Sequence, residues 1–373
     1  MNIPLFKIYF DEKDLKSVNK IIQSGMYWAI GPEINKFEEE INRYIGKKYC
    51  VLFNSGTSAL HAILQAYNVK NQDEVIVPSF TFIATANAPL FVKAKPIFAD
   101  IEPTTLGLDP ESVLEKITSK TKALIPVHYG GCPADIKNLK EIAQDHKLLL
   151  IEDAAESFGS KLEDQMIGTF GDSSMLSFCQ NKIITTGEGG AIITDSKDIF
   201  EKLLLFRSHG RLEDKNYFTS PISGDYVSLG YNLRMSNINA SLGLSQLDKV
   251  EEIISMRIKR AKYYINQLKR ISEITLPYIP QNARHVFQLF SIQVKHHQRS
   301  DLIKFLTSKG IMSKVYFSPI HLTYFYKEVL KYKVSLPVTE SISKETLSLP
   351  IYPAMNEKEL EYVSSAMMDF FNS

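Results

Sequence analysis

Between about residue 48 and residue 195 the chain repeats one pattern, a short apolar, β-branched run followed by a stretch with apolar side chains at helical spacing. The runs are Tyr49–Phe53, Val75–Val77, Pro96–Ala99, Ala123–Val127, Leu148–Ile151, Met175–Phe178 and Ala191–Thr194. Parallel strands cannot be joined by a tight turn, so they need crossover helices, and strands covered on both faces read as unbroken apolar runs. The pattern therefore predicts a large α/β unit. Helix starts support it: Asp109-Pro110 places a capping carboxylate before a first-turn proline, and Asp135 precedes Ile136, Leu139 and Ile142 at helical spacing. The last two runs, LSFCQNKIITT and GGAIITD, are separated only by Gly187-Glu188-Gly189-Gly190. That is too short for a crossover, so they are expected as a hairpin-type pair and the sheet as mixed.

A single core stops growing near roughly 250 to 300 residues, so 373 residues call for a second, smaller unit. From Ser236 a capped pattern carries Leu242, Leu247, Val250, Ile254, Ile258 and Tyr264, predicting one long helix that joins the two. Beyond it HVFQLFSIQV, RSDLIKFLTSKG, SKVYFSP, LSLPIYP and NEKELEYVSSAMMDFF alternate strand and helix, as in a small α+β domain. The division is expected at residues 1–245 and 246–373. Arg211–Gly230, polar and broken by Pro221 and Gly224, is longer than an ordinary connection and is expected to be a functional loop.

Composition narrows the function classes. With 44% hydrophobic residues the chain is globular, and 43 basic against 42 acidic side chains leave no footprint for nucleic acid. No apolar run is long enough to span a membrane, and the first twenty residues lack a basic start and apolar core, so a cytoplasmic location is expected. Three cysteines without CxxC spacing and eight histidines without HxxxH spacing, His296-His297 falling in a polar turn, predict neither disulfides nor a metal.

Three segments carry candidate chemistry. In YCVLFNSGTSALHAILQAY a β-type run ends at Asn54-Ser55-Gly56-Thr57 and a helix follows. Such a junction aims free N–H groups and a positive helix end at one point, a seat for phosphate, although an ordinary capped helix fits as well. In LLLIEDAAESFGS, Glu152 and Asp153 end an apolar run, placing at least one carboxylate where open α/β sheets bind ligands. There it would pair with a protonated ring nitrogen or merely cap the next turn. Lys182, separated from Ser177 by four residues in SFCQNKIITTGEGG, taken alone reads as an exposed cation on a turn. Together, phosphate seat, edge carboxylate and lysine form the set pyridoxal phosphate needs, the lysine holding its aldehyde as a Schiff base. Phe82, past another strand edge, supplies an aromatic face.

The segments NSGTSAL, VPSFTFIATANA, KPIFADIEPTT, TKALIPVHYGG, LIEDAAESFGS, GTFGDSSMLSF, KIITTGEGG, RSHGR and GYNLRMSN, in that order, resemble the sugar aminotransferases of the DegT/DnrJ/EryC1/StrS family. The resemblance runs from about Gly25 to the C-terminus. It implies an aspartate-aminotransferase-like large domain with a mixed, mostly parallel seven-stranded sheet, plus a smaller C-terminal α+β domain. It implies that Lys182 carries the cofactor, that Asp153 partners the pyridine nitrogen, and that Phe82 and Glu156 lie at the two ring faces. Gly56, Thr57 and Ser177 would hold the phosphate, and Asn232 would reach the phosphate of a neighbouring subunit, so a homodimer with shared sites is implied.

Two positions depart from the family pattern: Glu156 stands where glutamine or histidine is frequent, and Cys179-Gln180 where His-Pro is often seen. The ITTGEGG form resembles members acting at C4 of a nucleotide-linked 4-keto-6-deoxyhexose, with L-glutamate as donor, so a perosamine-synthase-like enzyme is expected. Trp28, Arg234 and His321 are candidates for the sugar nucleotide. A 3-keto-sugar or cyclitol aminotransferase, and a non-catalytic regulator on the same fold, are the competing readings.

Overall fold

A computed structural model of the chain describes residues 1–212, 224–295 and 298–372. Most of the expected functional loop and the His296-His297 pair lie outside the described residues.

Each apolar run of the first half forms a strand of one seven-stranded sheet: β1 (Tyr49–Phe53), β2 (Glu74–Pro78), β3 (Lys95–Ala99), β4 (Thr121–Leu124), β5 (Leu149–Asp153), β6 (Ser173–Ser177) and β7 (Gly190–Thr194). The spatial order is β1-β7-β6-β5-β4-β2-β3. Neighbours from β6 through β3 are parallel, and β7 is antiparallel to both β6 and β1. The sheet is thus mostly parallel with one reversed strand, as expected.

The strands are apolar throughout because both faces are covered. Leu52, Ile76, Leu124 and Leu150 enter one core with Phe37, Ile41 and Leu139, while Val51, Phe53, Val75, Val77 and Ile151 enter the other with Leu60, Ile63 and Leu203. Successive side chains point to opposite faces, so one run feeds two cores.

The last two runs pair antiparallel with Ser177 opposite Gly190, but the connection is longer than the sequence indicated. β6 ends at Ser177, and the stretch from Phe178 to Gly189, which holds Lys182, is a folded loop rather than strand. Its apolar Ile183 and Ile184 are buried in the first core instead of alternating along a strand. Phe178 N bonds Gly189 O (2.9 Å) and Thr186 N bonds Phe178 O (3.0 Å), closing the loop on itself.

The expected long helix is two, Asn237–Asp248 and Val250–Leu268. The break falls at Lys249 (φ −113°, ψ 14°), whose buried ammonium is held by Asp14 (2.6 Å) and Asp11 (2.7 Å) at the start of the helix Glu12–Gln23. Ser236 caps the first of the two, accepting from Asn239 N. Asp109 caps its helix likewise, whereas Asp135 accepts from the Asn138 side chain instead of the backbone.

The helix Val250–Leu268 belongs to two cores. Val250, Ile253 and Ile254 pack with the large sheet, and Ala261, Tyr264 and Leu268 pack under a three-stranded antiparallel sheet of Ile274–Thr275, Phe290–Val294 and Thr346–Leu349. Helices Arg299–Ser308 and Glu357–Asn372 complete that smaller core, which also takes in Ile3 near the N-terminus. No described helix is long and apolar enough to cross a membrane.

Candidate active site

The carboxyl ends of the parallel strands share one edge, where the crossovers leave a crevice. β1 runs there into the helix Gly56–Ala66, whose N-cap Ser55 accepts from Ser58 N (3.1 Å). The first backbone N–H groups of a helix lack intrahelical acceptors, and Gly56 and Thr57 open this first turn. A Cβ on Gly56 would stand 3.1 Å from Met175 Sδ and 3.4 Å from Ser177 Cβ, so β6 presses directly on the helix start. A Cβ on Gly190 would come within 2.6 Å of Gly56 N, so only glycine lets β7 approach. This close packing sets the Ser177 hydroxyl beside the helix N-terminus and forms a small anion cradle of N–H groups and a hydroxyl.

On the next strand, Glu152 and Asp153 divide by strand alternation. Glu152 turns into the fold, where Gly168 N, Phe170 N and Gly171 N donate to its carboxylate at 2.7 to 2.9 Å and His128 Nε2 lies at 3.1 Å. Asp153 is the one at the site: Oδ2 accepts from Thr85 Oγ1 (2.8 Å) and Oδ1 from Ala155 N (3.1 Å). Burial pushes the Asp153 carboxyl above its ordinary value, with the Thr85 and Ala155 hydrogen bonds and the nearby Lys182 ammonium pulling it back and Glu156 adding to the rise. A buried carboxylate held by two neutral donors is stabilised most by a cation brought against it. This donor set, the amine of Lys182 and the cradle at Gly56 fit a phosphorylated, nitrogen-protonated ring.

Lys182 Nζ stands 3.4 Å from Glu156 Oε1, and Glu156 Oε2 accepts from Gly130 N (2.9 Å). The loop carrying the amine is anchored by Lys182 N on Cys179 O (3.0 Å) and by the Gln288 side chain, which donates to Asn181 O. Phe82, 61% exposed, opens the helix Ile83–Phe91 one turn from Thr85, with its ring centroid 6.3 Å from that of Phe317. Thr85, Gly130 and Gln288 carry no local sequence signal. Their roles arise only because distant segments meet.

The remaining candidates have their contacts elsewhere. Asn232 is exposed and bridges Ser208, and its neighbour Leu233 accepts from Asn54 N (2.8 Å). Arg234 Nη1 donates to Ser208 Oγ (3.0 Å) and lines a cavity of about 440 Å³ with Tyr27, Glu38 and Arg207. Trp28 is 51% exposed, and its carbonyl accepts from Ile238 N (3.3 Å). His321, expected at the substrate, is instead 2% exposed, with Nδ1 at 2.7 Å from Ser79 Oγ and Nε2 at 3.4 Å from Glu340. Burial therefore leaves it no free face for a ligand. Among the described residues no three His, Cys, Asp or Glu side chains gather as a metal site.

A cation-seeking carboxylate, a lysine amine and a helix N-terminus thus meet on one edge of this sheet, the groups that pyridoxal phosphate chemistry calls for. The chain belongs to the DegT/DnrJ/EryC1/StrS aminotransferase family, which it matches over residues 9–368. It is 33% identical over 374 residues to the GDP-perosamine synthase of Escherichia coli O157:H7, covering 99% of both chains. Among solved structures it resembles Helicobacter pylori PseC, an aminotransferase of pseudoaminic acid biosynthesis, at 27% identity and a TM-score of 0.94 over 100% of both chains. It also resembles Bacillus subtilis NtdA with its bound cofactor PMP, at 30% identity and a TM-score of 0.87 over 97% of this chain and 82% of that one. The protein is a sugar aminotransferase dependent on pyridoxal phosphate.

Proposed function

We propose that this enzyme moves the amino group of L-glutamate to C4 of a nucleotide-linked 4-keto-6-deoxyhexose, in the making of an amino sugar for a cell-surface polysaccharide. The observation that carries the reading is the Lys182 amine beside Glu156, on the sheet edge that also presents Asp153. Position and acceptor are supported by the similarity to a GDP-perosamine synthase and by the ITTGEGG segment after Lys182.

Gly56, Thr57 and Ser177 would hold the cofactor's phosphate and Asp153 its ring nitrogen, with Phe82 and Glu156 at the two ring faces. When bound, pyridoxal phosphate supplies an electron sink that makes the Cα–H of the amino donor acidic. Lys182 Nζ, as the neutral amine, would take that Cα proton, hold it as the ammonium and deliver it to the cofactor from the same side, and would run the same proton transfer in reverse with the keto sugar. Asp153 stays ionised to keep the ring nitrogen protonated. Glu156, fixed by Gly130 N, holds the amine within reach of both. Two copies of the chain form the working unit, Asn232 of one reaching the phosphate in the other, and Trp28 and Arg234 line the route of the sugar nucleotide.

The test is a panel of GDP-, dTDP- and UDP-linked 4-keto- and 3-keto-deoxyhexoses with L-glutamate, the product read by NMR. Amination at C4 is expected. Turnover of a 3-keto sugar with none at C4 overturns the reading.

A further inference from the structure

The stretch from Ser79 to Thr85 carries two groups of the site, Phe82 and the Thr85 hydroxyl that donates to Asp153. Its start is tied to a distant part of the chain. Ser79 O accepts from Ile320 N (2.9 Å), Ser79 Oγ accepts from His321 N (3.0 Å), and Oγ also lies 2.7 Å from His321 Nδ1. Burial favours the neutral imidazole, and with the single Ser79 hydroxyl hydrogen donated to Nδ1 the ring's own proton sits on Nε2, toward Glu340 Oε1. The charged groups acting on the ring are Glu340, on the helix Pro337–Glu345, and Asp100, just past β3. Asp100 is itself engaged by Ile101 N, Val338 N, Thr339 N and Thr339 Oγ1, and Phe98 packs against the imidazole with centroids 6.3 Å apart.

We propose that His321 is a positioning residue whose neutral imidazole, acting through Ser79, holds the Ser79–Thr85 stretch so that Phe82 and Thr85 face the cofactor, and whose protonation releases it. A proton on Nδ1 turns that nitrogen from acceptor to donor. Ser79 Oγ then has to accept from both His321 N–H groups, while its own hydrogen, in a fully buried pocket, loses its acceptor. The hydrogen bond that ties the stretch thus reverses with one unmatched donor. Burial holds the His321 imidazole below its ordinary value despite the opposing pull of Glu340 and Asp100. A group whose folded value is depressed contributes stability that is present above the unfolded value, about 6.5 for histidine, and is lost as pH falls through the folded value. The tie is therefore closed at neutral pH and opens in acid.

This proposal deepens the aminotransferase reading and rests on it. The holoenzyme is mixed with L-glutamate from about pH 4.5 to 8.5 and the half-reaction is followed by absorbance. In parallel, deuterium uptake of the 79–85 peptide, corrected for intrinsic exchange, is measured at acid and neutral pH in holoenzyme and apoprotein. His321→Asn keeps an acceptor near the Nδ1 position but cannot titrate. It is expected to react at neutral pH within about threefold of wild type and to lose the acid limb set by His321, with uptake no longer rising in acid. His321→Ala, which loses one buried hydrogen bond, is expected to react about tenfold slower at neutral pH, with uptake like that of acidified wild type. Should His321→Ala fail to fold, Ser79→Ala removes the same hydrogen bond. Superimposable acid limbs for wild type and His321→Asn, or uptake of 79–85 indifferent to pH and to both substitutions, overturns the proposal. A wild-type enzyme inert to L-glutamate counts against the donor, while the uptake measurement still decides the tie.

Discussion

Asp153→Asn separates what the carboxylate does for the fold from what it does for catalysis. In the apoprotein the amide fits the existing network: Oδ1 keeps the Ala155 N–H, and Nδ2 donates to Thr85 Oγ1, whose own hydrogen turns to Thr81 Oγ1 at 3.0 Å. Two hydrogen bonds are kept, and the charge that burial disfavours is gone. Because the folded carboxyl is held above the ordinary 3.8, the native state binds more protons than the unfolded chain just above that value. The stability this contributes is full below the unfolded value and lost as pH rises through the folded one. Apo Asp153→Asn is therefore expected to melt no lower than wild type near pH 7.5, with its relative stability growing from acid to neutral pH and then levelling. Catalysis goes the other way. Without the fixed negative charge at the ring nitrogen, kcat is expected to fall about 10²–10³-fold, the scale of losing one preorganised electrostatic contact. Thermal melts of the apoprotein across pH and steady-state rates with L-glutamate and a keto sugar read the two effects. Turnover within threefold of wild type, or a pH-independent fall in apo melting temperature, refutes the argument.

Lys182→Ala is expected to abolish transamination and the borohydride-reducible visible band of the holoenzyme, while the apoprotein melts within a few degrees of wild type. Gly190→Ala, whose Cβ would press within 2.6 Å of Gly56 N, is expected to cost about 1–3 kcal/mol of stability and to weaken cofactor retention, read by dialysis and absorbance. Lys249→Met leaves the Asp14 carboxylate buried with only neutral donors, Gln246 Nε2 and Asp11 N. It should destabilise by about 3 kcal/mol, measured by urea unfolding, with little change in KM.

Much of the fold was legible because its signals are local. The runs from Tyr49 to Thr194 announced seven strands, since a strand buried on both faces must be apolar at every position, and Ser55, Asp109 and Ser236 announced helix starts through short-range capping. The break at Lys249 was not legible, because neither glycine nor proline marks it and the lysine's partners, Asp11 and Asp14, lie far back in the chain. That the connection spans Phe178–Gly189 rather than Gly187–Gly190 was not legible for a related reason: Ile183 and Ile184 are apolar whether they extend a strand or fill the core from a loop.

Local sequence signals set the alternation of strand and crossover, the helix start at Gly56, and the order in which cradle, carboxylate and lysine follow one another. The local segment leaves Glu152 and Asp153 open where the resemblance implies Asp153; tertiary structure turns Asp153 toward Thr85 and Glu152 into the fold, because strand neighbours face opposite ways. Tertiary structure also decided that Thr85 steadies that carboxylate, that Gly130 fixes Glu156, and that His321 is buried on Ser79 rather than open to a ligand. Periodicity and capping depend on neighbours a few residues apart, whereas a side chain's charge state and exposure depend on partners that only the packed chain brings within hydrogen-bonding distance.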